Sequence, residues 1–156
     1  RQDQDRARWD HLLVRRGLAA LDKAEQLARA GKPWGPYALQ GAIAACHARA
    51  RQAQDTDWPH IVALYDALLQ VAPSPVVALN RAVAVGMAEG PAAALALVDA
   101  LAGDPLLRHY HWLPSVRGDL LAKLDRGAEA RAEFERAASL TRNAQEKALL
   151  LARACG

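Results

Sequence analysis

The sequence predicts an all-α protein in which antiparallel helix pairs stack as a solenoid, with about eight helices and a long first one. Three observations carry this. A capping residue stands directly before a proline at Gly35-Pro36, Ser74-Pro75, Gly90-Pro91 and Asp104-Pro105, and Asp57-Trp58-Pro59 is a near variant. Proline is well tolerated at the first helical position, where its missing N–H had no intrahelical partner anyway, so each pair marks a helix start. The joints between apolar runs are very short, which makes neighbouring helices antiparallel. Alanine, the best helix former, supplies much of the 52% hydrophobic content.

The first helix spans about residues 5–30. There Trp9, Leu12, Leu13, Arg16, Ala20, Leu21, Ala24, Leu27 and Ala28 recur at three- and four-residue intervals and make one apolar stripe. Gly31-Lys32-Pro33 ends it. The second helix, about 36–50, carries Leu39, Ile43, Ala44 and His47 on one face. The third, about 58–71, carries Ile61, Leu64, Tyr65, Leu68 and Leu69. The fourth, about 75–87, carries Val76, Leu79, Val83 and Val85, and the fifth, about 91–101, carries Ala94, Leu95, Val98 and Leu101. A sixth runs over about 106–124 with an irregularity expected near Pro114, and a seventh runs over about 128–140. Asn143 caps the last helix, with Glu146 three positions on as in a capping box. The stretch "VVALNRAVAV" is rich in valine, but its proline start and its Ala/Arg content favour helix over strand.

The joints recur. Pro73 and Pro105 end similar helix pairs and the seventh helix ends near Arg142, a spacing of roughly 32 to 37 residues, close to the roughly 34 of a tetratricopeptide array. "EARAEFERAASL", residues 129–140, reads as the second helix of such a repeat, with Ala130, Phe134 and Ala137 at small, large and small positions. Small residues at fixed positions let paired helices approach closely, while large ones fill the gaps between pairs. The predicted architecture is therefore a tetratricopeptide-like right-handed solenoid, with a generic alanine-rich bundle as the alternative. It forms one domain over residues 1–156: the leading helix within 1–31, about three helix pairs over 35–142, and a capping helix in 143–156. Asp125 stands where that repeat usually has glycine, and Pro59 and Pro114 are unusual for it.

Composition narrows the function. The formal charge is +3 and Arg15-Arg16 is the only adjacent basic pair, so the clustered Lys/Arg of a nucleic-acid surface is missing. No run of about 20 apolar residues is present, so no membrane span is expected. Cys46 and Cys155 are far apart and form no CxxC pair, which fits a reducing cytoplasm. The chain lacks an initial Met and reads as a piece of something longer.

Chemistry is sparse. Glycine-rich phosphate loops and a GxSxG elbow are absent. His109 and His111 are two apart, so on a helix they diverge by about 200° and would not share a metal. "HYHW" reads as a packed helix start, His47 as a hydrogen-bonded core histidine and Cys46 as a small buried residue. Asp55 and Asp57 could hold a cation, but helix capping accounts for them more simply. No catalytic, metal or cofactor residue is expected, and no enzyme. What remains is a binding surface. The first helices of repeat pairs line the concave face of a solenoid. Asn80 and Arg81 lie on the fourth helix and Arg117, with Arg108, on the sixth. Asn can donate and accept to a peptide backbone, and Arg offers a planar fork for a carboxylate. The alternative is that Arg81 and Arg117 are ordinary solvated or ion-paired arginines.

Several stretches carry a resemblance: "DQDRARWD", "GPYALQGAIAACHA", "DTDWPHIVALYDALL", "PSPVVALNRAVAVGMAEGPAAALALVDAL", "YHWLP" and "EARAEFERAASLTRN". In order and spacing they resemble the C-terminal extension of bacterial extracytoplasmic-function sigma factors that carry a tetratricopeptide-like tail. Gly41 and Gly86 depart from that pattern, where alanine is expected more often. The resemblance implies an accessory, regulatory protein-interaction module that modulates transcription initiation. Its partners would be the sigma regions of the same polypeptide, core RNA polymerase, or both. Nothing here looks like the family's promoter-reading and polymerase-binding regions, so no direct DNA binding by this piece is expected. The resemblance brings no catalytic residue and no cofactor. The other readings are a free-standing helical-repeat adaptor and, third, an enzyme or small-ligand sensor.

Overall fold

The computed structural model describes residues 39–44, 46 and 56–156. The expected leading helix over about 5–30 lies outside the described residues, as do Pro36, His47 and Asp55. The expected second helix is described at residues 39–44 and at Cys46, all helical. From Thr56 onward the chain forms seven helices, six α and one 3₁₀, and no strand occurs among the described residues.

The prolines do start helices. Helix α1 is Trp58–Val71, and the Asp57 carboxylate accepts from the His60 N–H at 3.2 Å. Helix α2 is Pro75–Glu89, and the Ser74 Oγ accepts from the Val77 N–H at 3.4 Å. Helix α3 is Pro91–Leu101. Its joint to α2 is Gly90 alone, at φ 105° and ψ 165°, a conformation that side-chain-bearing residues avoid. Pro105–Leu107 is a 3₁₀ turn capped by Asp104, which accepts from the Leu106 N–H at 2.9 Å. Helices α4, α5 and α6 are Trp112–Lys123, Gly127–Leu140 and Ala144–Ala154.

One expectation is corrected. The continuous sixth helix over about 106–124 is replaced by the 3₁₀ turn, a non-helical stretch and then α4. Pro114 is the third residue of α4 rather than an interior irregularity. The first four N–H groups of a helix have no intrahelical partner, so a proline there removes nothing. The break falls earlier because Asp104-Pro105 caps its own short turn.

The chain divides into two compact units, residues 1–81 and 82–156. In the first, the described core is Ile43, Ile61, Tyr65, Leu68, Val77 and Leu79, with Gln40 and Asn80 buried among the polar residues. Tyr65 is 4% exposed, and burial pushes its phenol above the ordinary value near 10. The unfolded chain ionises this phenol near pH 10 while the folded one resists. The Tyr65 contribution is therefore intact below about pH 10 and lost as pH rises further. Tyr65→Phe is expected to flatten that alkaline loss, read as a smaller drop in urea midpoint between pH 9 and pH 11 than in the parent chain.

In the second unit each helix packs on its neighbour in sequence, α3 on α4, α4 on α5 and α5 on α6. Helix α4 is the centre, with Trp112 to Val116 and Gly118 to Leu121 all buried. Ala130, Phe134 and Ala137 of α5 are buried as the repeat pattern predicts. Contacts between α4 and α5 are symmetric about Asp125: Arg117 pairs with Glu133, each eight residues from it, and Gly118 abuts the Phe134 ring. A chain that doubles back at Asp125 has this register. A Cβ on Gly118 would lie 2.9 Å from two atoms of that ring. Gly86 is likewise close, since a Cβ there would meet the Ala94 Cβ at 3.0 Å across the Gly90 joint. Close packing thus accounts for glycine where alanine was expected; at Gly41 nothing lies within 4 Å and the structure gives no such reason.

Asp125 sits at φ 58°, the left-handed region. The Arg126 N–H donates to the Leu121 carbonyl at 2.9 Å and the Asp125 N–H to the Ala122 carbonyl at 3.2 Å, the paired bonds of a Schellman C-terminus. The expected glycine position is thus a real left-handed site held by aspartate. Asp125→Gly is expected to raise stability by about 0.5–1 kcal/mol, because the Cβ strain outweighs the extra freedom of unfolded glycine. Denaturant midpoints of the two chains check it.

Candidate functional site

The three residues singled out for partner binding divide between the units, Asn80 and Arg81 in the first and Arg117 in the second. Asn80 is 3% exposed, and its Nδ2 is buried with no acceptor among the described residues. It is a core amide of α2. Leaving such a donor unmet costs roughly 1–3 kcal/mol. Arg81, three-quarters buried, donates from Nε to Asp66 of α1. Arg117 of α4 donates from Nε to Asp99 of α3 at 2.8 Å and lies 3.7 Å from Glu133 of α5.

Both arginines are therefore ion-paired across helices. Arg117 also faces Glu133 through Nη1, and a partner carboxylate would compete with Asp66 at Arg81 or with Asp99 at Arg117, both acids about half exposed. Arg117 lies against two acids, so its field toward an incoming anion is reduced. Glu133 is more enclosed: its side chain is 12% exposed and its Oε2 is buried without a donor among the described residues. Arg108, the fourth candidate, is exposed beside the 3₁₀ turn.

The outer face of α5 is solvated and self-paired. Arg131 donates to Glu135 at 3.1 Å across one turn, and Arg126 pairs with Glu129 at the helix start, holding that carboxyl below the ordinary carboxylate range. Among the described residues no cluster of His, Cys, Asp and Glu is arranged to hold a metal ion, and no helix is long and apolar enough to cross a membrane.

No family model matches the chain. No solved structure matches it either. It is 48% identical over 149 residues to an uncharacterized protein of Rhizobium meliloti strain 1021. The match covers 96% of this chain but 34% of the relative, so the chain spans about a third of that protein's length.

Sequence reasoning missed the most buried charge among the described residues. Asp119 of α4 has a side chain 5% exposed, and it accepts from Arg153 of α6 at 2.8 Å and pairs with Lys123 at 2.9 Å. The Arg153 guanidinium also lies over the Phe134 ring, 5.0 Å from its centroid. The i, i+4 spacing of Asp119 and Lys123 was a readable signal. The 34-residue separation of Asp119 and Arg153 was not. At the other end of α4, His111 Nε2 lies 3.1 Å from Glu146 Oε2 of α6. Of "HYHW" only Trp112 lies in α4; His111 flanks its start and is tied to the last helix, and His109 is exposed outside it.

Proposed function

We propose that this chain is the C-terminal accessory module of a bacterial extracytoplasmic-function sigma factor, a cytoplasmic protein-interaction domain that modulates transcription initiation. Its helices belong to a tetratricopeptide-like right-handed solenoid of antiparallel pairs. The α4–α5 pair carries the reading: a tight turn at left-handed Asp125 joins two helices, Phe134 fills the space over bare Gly118, and Ala130 and Ala137 are buried. That alternation of small and large is what a stacked helical repeat requires. The match to one third of a longer relative is in keeping with a module attached to other domains.

The partner most consistent with this reading is the sigma part of the same polypeptide, held at high effective concentration by the connection. Core RNA polymerase is the second. Arg81 in the first unit and Arg117 in the second are each candidate gripping side chains, taken separately; Asn80, being buried, braces α2 instead. In the full-length factor, Arg81→Ala or Arg117→Ala, each made alone, is expected to change transcription output severalfold while leaving the melting temperature of the isolated chain within a few degrees. Arg131→Ala with Glu135→Ala, on the solvated face of α5, is the control and should leave output unchanged. An effect from the control pair alone would place the working surface on that other face. Failure of the chain to capture either the separated sigma regions or core polymerase would favour a free-standing adaptor.

A further inference from the structure

No further inference is drawn: the strongest candidate, the exposed apolar stripe of Ala144, Ala148, Leu151 and Ala152 along the outer face of α6, is an uncovered helix face, and nothing in the structure shows what would cover it.

Discussion

Phe134→Ala is expected to lower unfolding free energy by about 3–5 kcal/mol, the largest single effect expected among the described residues. Phe134 is 1% exposed, fills the space over Gly118 and has the Arg153 guanidinium 5.0 Å from its ring centroid. Truncation leaves a void that α4 cannot fill, because the facing position has no side chain to swing inward. Chemical denaturation with a two-state fit measures it. A loss below about 1 kcal/mol would mean that α4 and α5 close up over the gap.

Gly118→Val should be the next most damaging change, at about 3 kcal/mol, near the upper end of what overpacking costs. Its Cβ would stand 2.9 Å from the Phe134 Cδ1 and Cε1 and 3.1 Å from Cζ, closer than carbon atoms pack. The obstruction is a ring enclosed on all sides, so it cannot rotate away as a flexible chain end would. Better helix propensity offsets only a few tenths of a kcal/mol. The two positions should couple: Phe134→Leu introduced with Gly118→Val is expected to cost less than the sum of the single changes. Strict additivity in that double-mutant cycle would show that the clash is relieved elsewhere.

Much of the helical order was legible because proline and its preceding residue report backbone conformation directly. Ser74-Pro75, Gly90-Pro91 and Asp104-Pro105 each open a helix or helical turn where expected. Asp125 was legible as an odd residue at a glycine position, and its φ of 58° gives that oddness a physical meaning. Burial on α5 was legible from spacing alone, since Ala130, Phe134 and Ala137 lie on a single face. Helix α4 was not, because it is covered nearly all round: its buried residues include Ser115, Gly118 and Asp119, which read as polar breaks in a stripe. The register of α2 slipped for a similar reason. Val77, Leu79, Asn80, Ala82, Ala84 and Val85 are all buried, too broad a band for one helical face to predict, and Asn80 falls inside it. Pairings such as Arg81 with Asp66 and Arg117 with Asp99 join helices 15 and 18 residues apart, which no local pattern announces.

The single-residue joint at Gly90 limits how this chain can change length. One peptide unit there turns α2 into α3 with Gly86 and Ala94 almost touching, so an inserted residue would rotate α3 by a large fraction of a turn and drag its buried face outward. Residues 102–106, just after α3, are the opposite case: Leu106 is 77% exposed and Ala102, Gly103 and Pro105 are open to solvent, before Leu107 turns back into the core. Insertions, reporter tags and protease nicks belong in that stretch. Lineages that lengthen this module should do so there, and should keep the Gly90 joint at a single residue.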